Sequence, residues 1–257
     1  MRPLHFAATW RRSTSTARGE ERLLDLVHGD ERVPATFLVP QGAGSAPATL
    51  LLHGFSSSKE RMAQSVGRAL QQRGVASLAL DLPFHGERDG GRDAVPYRNP
   101  LALVAAWTTA VREARAAIAW LAAQQEVDAE RIGILGYSLG GFLALMTASE
   151  ERRVRVVALA AAGDLPDTTP YLSLVRRAVD PLRAVRALGG RPLLLVNGRR
   201  DTTTRPAQAE RLFAHAKEPK ELRWYDGGHW PPPSAIEDAA AWTAERLRPR
   251  AGRRQTG

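Results

Sequence analysis

Between Ile132 and Leu145 an apolar run stops at Gly136, a second, helix-like apolar run starts after Gly140, and Ser138 lies between them. The pattern Gly136-Tyr137-Ser138-Leu139-Gly140 puts a glycine two positions to either side of the serine. A strand that turns at once into a helix strains the residue at the bend. Strand and helix then crowd the positions two before and two after, where a Cβ would clash. The bend lifts the serine hydroxyl out of the sheet. The helix that follows aims its free N–H groups at the same spot, so negative charge developing there is stabilised. In a chain with 22 glycines the pattern alone can arise by chance. The strand-like run before it and the helix-like run after it supply the context it requires.

The rest of the chain reads as the sheet such a turn needs. Arg22–Val27 and Val33–Val39 are short β-prone runs joined by a turn at Gly29, a hairpin that Pro34 places at an edge. Ala48–His53 is a continuous apolar run, as expected of a strand buried on both faces. Helical spacing follows over residues 59–73, with Gly74 as its stop. Further strands fall at Val75–Leu80, Arg131–Leu135, Val154–Ala161, Arg191–Asn197 and Glu221–Tyr225. Helical patterns occupy Pro100–Gln125, Pro206–Ala216 and Ser234–Leu247, and Glu87–Asn99 reads as a loop. Such alternation predicts an α/β fold with a mostly parallel central sheet, helices on both faces and an N-terminal antiparallel hairpin. In such sheets chemistry collects beyond the carboxyl ends of the strands. His53, Asp81, Ser138, Asp164, Asp201 and His229 all fall at such ends.

With 257 residues, 44% of them hydrophobic, the chain forms one large domain over 21–248 with a small insertion at 165–188. Residues 1–20 read as a loosely ordered segment and 249–257 as a basic tail. The absence of cysteine excludes disulfides and cysteine-based metal or redox sites. No His/Asp/Glu spacing suggests a metal site, and no phosphate loop is present, so no cofactor is expected. The net charge of +9 does not imply nucleic acid. Only Lys59, Lys217 and Lys220 among 36 basic residues are lysines, and the arginines are scattered rather than gathered in one stripe. No apolar run reaches membrane-spanning length and no secretory leader is visible, so a cytoplasmic location is the default expectation.

The alternation, the Gly-Tyr-Ser-Leu-Gly turn and the chain order Ser138, Asp201, His229 together resemble the α/β-hydrolase family over roughly residues 20–247. His53-Gly54-Phe55 and Asp81-Leu-Pro-Phe-His-Gly are similar in particular to its dienelactone-hydrolase and prolyl-oligopeptidase-like esterase branches. The resemblance implies the α/β-hydrolase fold and a serine esterase. Ser138 would be the nucleophile, His229 the base that takes its proton, and Asp201 the acid that orients the imidazole. The family places one oxyanion donor on the residue after the nucleophile, here the Leu139 N–H, and the other after the third strand, here the Phe55 N–H. Phe84, Tyr137 and Trp230, with Phe55, are candidate apolar walls of the substrate pocket.

Asp164 also ends a strand and is the rival acid, just as Asp201 could instead cap a helix. His85 is the rival base. His53 and Asp81 read as structural hydrogen-bonding residues. The expected partner is a small-molecule ester, and a homodimer is compatible with the sequence. A thioesterase, a lactonase, a small-peptide hydrolase or an acyltransferase would use the same triad. A binding protein that retains the fold without chemistry is the reading from a different class.

Overall fold

The computed structural model describes residues 4–42, 44–88, 99–169 and 171–249. Nine strands form one sheet in the order β1-β2-β3-β5-β4-β6-β7-β8-β9. β1 (Ala7–Thr16), β2 (Gly19–His28) and β3 (Glu31–Pro40) are antiparallel, and β3 meets β5 (Ala76–Leu80) antiparallel. From β5 through β4 (Ala46–Leu52), β6 (Val127–Tyr137), β7 (Val154–Ala160), β8 (Leu193–Gly198) and β9 (Lys220–Tyr225) every pairing is parallel.

The continuous apolar runs are explained by burial on both faces. In β4, Leu50 and Leu52 face one hydrophobic cluster and Leu51 the other, and all three are fully buried. β8 repeats the alternation, with Leu193 and Leu195 on one side and Leu194 and Val196 on the other. Each such side chain contributes about 2 kcal/mol relative to exposure. α3 (Pro100–Ala122), α4 (Leu139–Glu150), α5 (Leu172–Ala178), α6 (Pro181–Ala187) and α7 (Pro206–His215) cover one face. The other is covered by α8 (Pro233–Arg246) and by one continuous helix made of α1 (Lys59–Met62), a π-helical turn (Ala63–Gly67) and α2 (Arg68–Gln71).

Four expectations change. Much of the supposedly loose N-terminal segment is β1, paired with β2 from Ala7 to Thr16. It is exposed along most of its length, so backbone pairing holds it and no apolar alternation announces it. The hairpin strand carrying Pro34 is internal, between β2 and β5. Proline is tolerated because Pro34 lies one residue beyond the last β3–β5 pair, Ala35 with Leu80, where only its carbonyl is used, accepting from Asp81 N–H at 3.0 Å. The 165–188 insertion also shrinks. α6 packs Ala184 and Val185 into the core and so belongs to the helical layer, with Asp180 capping its first turn. The β6 strand begins at Val127, four residues before the apolar run. Most of the Glu87–Asn99 loop and the basic tail lie outside the described residues. Among the described residues no helix is long and apolar enough to cross a membrane.

Candidate active site

Ser138 sits at the turn from β6 into α4 with φ 52° and ψ −116°, a conformation that side chains rarely adopt. The flanking glycines make the turn sterically feasible. A Cβ on Gly136 would lie 2.1 Å from the Gly140 carbonyl oxygen, and one on Gly140 would lie 2.1 Å from the Leu52 carbonyl oxygen. Ser138 N–H donates to the Ala160 carbonyl at 2.8 Å, tying the bend to β7. The strain is therefore held by the sheet on both sides.

His229 follows β9. Its loop lies close over the end of β8, where a Cβ on Gly198 would come within 2.2 Å of the Gly228 carbonyl oxygen. His229 Nε2 is 2.8 Å from Ser138 Oγ, and Nδ1 is 2.8 Å from Asp201 Oδ2. An ionised carboxylate only accepts, so Nδ1 carries the proton and the Nε2 lone pair faces the serine hydroxyl. The Asp201 side chain is fully buried. Its second oxygen accepts from Thr203 N–H at 2.8 Å and Thr204 N–H at 2.9 Å, so both oxygens are engaged.

The structure brings Ser138, Asp201 and His229 together and keeps the rivals apart. The Asp164 carboxylate is taken by Arg176, at 2.9 and 2.7 Å, and by Arg211 at 3.3 Å. It fastens α5 and α7 to the end of β7. His85 turns Nδ1 to the Pro83 carbonyl at 2.7 Å and stacks edge-on against His53 and Phe55. His53 is fully buried. It donates from Nδ1 to the Gly54 carbonyl at 2.8 Å and accepts from Leu82 N–H at 3.0 Å. Burial pushes its pKa down to about 4, so it stays neutral although Asp81 lies 3.9 Å away.

Leu139 opens α4, in the first turn, where backbone N–H groups have no intrahelical acceptor. Phe55 lies in the turn after β4, next to Gly54. Gly54 packs so closely that a Cβ on it would be 2.6 Å from the Tyr137 ring and 3.3 Å from Ser138 Cβ. Both oxyanion-donor candidates thus belong to segments that adjoin the serine.

The wall candidates are not brought together. Tyr137 and Trp230 stack at 5.2 Å and line a cavity of about 400 Å³ between the sheet, α1 and α8. Phe84, at a φ of 65°, lines a different, more polar groove with Asp30, Glu31 and Arg88.

Two features escaped the sequence reading. The Tyr225 hydroxyl and the Tyr137 hydroxyl each donate to the His229 carbonyl at 3.3 Å. Burial and the Asp201 charge push the Tyr225 phenol up to about 12, and burial raises Tyr137 as well, so both remain neutral donors. An aromatic hydroxyl closing the strand before a histidine loop was the available signal. The second feature is Lys59, whose ammonium is buried among Asp81 at 3.0 Å, Glu87 at 2.5 Å and Glu60. Asp81 also accepts from the backbone N–H of Lys59 and of Glu87, fixing the start of α1 to the loop after β5. These three carboxylates are close enough to hold a cation, and the lysine supplies one. A lysine in so arginine-rich a chain was the signal, because a compact point charge fits where a planar guanidinium does not.

The model of the alpha/beta hydrolase family matches residues 49–243. Among curated proteins, the chain is 32% identical over 162 residues to the polyketide transferase ATR5 of Stachybotrys chlorohalonatus, covering 62% of this chain and 50% of that protein. It is 28% identical over 166 residues to the putative hydrolase YtaP of Bacillus subtilis, covering 56% of this chain and 55% of that one. The chain spans about half the length of the curated relatives it matches. A cold-adapted esterase from an Arctic intertidal metagenomic library superposes with a TM-score of 0.73 at 22% identity, covering 93% of this chain and 100% of that chain. An acetyl xylan esterase from Paenibacillus sp. R4 gives 0.75 at 20% identity, covering 95% and 89%. At these identities the likeness is one of fold.

Proposed function

The chain belongs to the alpha/beta hydrolase family, and on that premise we propose that it is a serine hydrolase cleaving a carboxylic ester of a small to medium substrate. The observation that carries the reading is the continuous hydrogen-bonded line Asp201–His229–Ser138, with 2.8 Å at each link, ending on a strained serine. Ser138 Oγ attacks the acyl carbon while His229 Nε2 takes its proton. The tetrahedral oxyanion forms against the Leu139 and Phe55 N–H groups, each worth about 3 kcal/mol to the transition state. The C–O bond to the leaving alcohol then breaks as His229 returns the proton to it, leaving an acyl-enzyme. Water, deprotonated by the same histidine, releases the carboxylic acid and restores Ser138.

The test is release of p-nitrophenol from acetate, butyrate and decanoate esters by the wild type and Ser138→Ala. Turnover by the wild type alone supports the reading, and equal turnover by the variant overturns it. A second reading, acyl transfer to an alcohol instead of water, draws on the match to a polyketide transferase. Identifying the product formed with added alcohol separates the two.

A further inference from the structure

The cavity behind the histidine loop has no part in the ester cleavage proposed for Ser138 and His229, neither of which lines it. Its floor is Leu135 and Val196 from the sheet, and its sides are Val66 and Ile236. Ser57 and Arg61 stand at its rim, with Trp230 half-exposed beside them. About 400 Å³ of apolar space is enough for a small organic ligand.

Two observations bear on the chemistry of a ligand that would fit here, and a third on the place. The lining is mainly apolar, with aliphatic side chains from Met62, Val66, Leu135, Val196 and Ile236 beside the Tyr137 and Trp230 rings, a surface that suits a hydrocarbon chain. The Arg61 guanidinium lies over the Trp230 ring at 5.8 Å, and among the described residues it makes no ion pair with a carboxylate. Its charge is therefore available at the rim for an anionic head. Ser65 and Val66 on the wall belong to the π-helical turn, an irregularity frequent at functional sites.

Neither Ser138 nor His229 lines this space, whereas Tyr137, whose ring centroid is 5.4 Å from that of His229, does. We propose that the cavity is a binding site, separate from Ser138, for a medium-chain aliphatic carboxylate, with the chain inside and the carboxylate on Arg61. Its occupant would touch Tyr137 and Trp230, which flank Ser138 and His229 in the chain. Because Tyr137 also bonds the His229 carbonyl, the site adjoins the catalytic loop from behind.

The test measures binding without turnover, so it does not depend on the proposed reaction. Decanoate and decanol are titrated by calorimetry into Ser138→Ala, and decanoate into wild type whose serine has been blocked with a phosphonate. Expected are saturable decanoate binding to both proteins and at least tenfold weaker binding in Arg61→Gln. Decanol should bind more weakly and be indifferent to Arg61→Gln. Ile236→Trp, which fills a half-buried wall, should abolish binding of both ligands. Arg61 is exposed, so its replacement tests the claim even if the filled variant fails to fold. Absence of binding, loss of binding on blocking Ser138, or equal affinity in Arg61→Gln overturns the proposal.

Discussion

The Asp201 carboxylate accepts from His229 Nδ1 at 2.8 Å while two threonine N–H groups hold its other oxygen. The hydrogen bond fixes the imidazole tautomer that leaves Nε2 free for Ser138. Asp201→Asn presents an amide that reverses this preference. The expected outcome is a loss of roughly 10⁴-fold in kcat with little change in KM, measured on an activated ester.

Asp164→Asn is the matched control. It removes a charge shared with Arg176 and Arg211, neither of which bonds the imidazole or its partners. The expected outcome is a kcat within a few-fold of wild type and a loss of roughly 1–2 kcal/mol of stability, because charge-assisted hydrogen bonds to a buried carboxylate are weakened while Arg176 and Arg211, both part-exposed, keep Asp180 and Asp167 as partners. Urea unfolding and steady-state kinetics on the same preparations check both halves.

Gly140→Ala tests the turn itself. Its Cβ would meet backbone, the Leu52 carbonyl oxygen at 2.1 Å, which cannot move aside as a side-chain tip can. The expected cost exceeds about 3 kcal/mol, at or beyond the upper end of ordinary overpacking. Gly29→Ala, at φ +57° but with nothing within 4 Å, is expected to cost only about 1 kcal/mol. Thermal unfolding of the two variants provides the comparison.

Stability should fall in mild acid because of His53. Burial holds its folded pKa at about 4, against about 6.5 in the unfolded chain. Below about 6.5 the unfolded chain binds a proton that the folded chain does not. The contribution of neutral His53 is therefore complete above that pH and is lost as pH drops towards 4, by about 3 kcal/mol across the window. Urea midpoints from pH 7.5 to 4.5 measure the slope, which His53→Gln should flatten. An unchanged slope in the variant contradicts the assignment.

The parallel half of the sheet was legible because β4, β6 and β8 are buried on both faces and read as unbroken apolar runs. The grouping of the candidate site was legible because its constraints are steric and ordinal: glycines where a Cβ cannot fit, and acid and histidine at successive strand ends. β1 was not, since it is an exposed edge with no alternation. The core role of α6 was hidden because seven residues give too short a period to read. Phe84, at a positive φ, lines another groove than Tyr137 and Trp230, a placement that composition cannot reveal. Asp164 and Asp201 look alike in sequence. Their difference lies in distant partners, Arg176 and Arg211 for one and His229 for the other.

The most direct measurement is covalent labelling with a fluorophosphonate probe, read by mass spectrometry of the modified peptide. Modification at Ser138 in the folded protein, lost on heat denaturation and strongly slowed in Asp201→Asn, is the expected result. A folded protein that takes no label, or takes it at another residue, contradicts an activated Ser138.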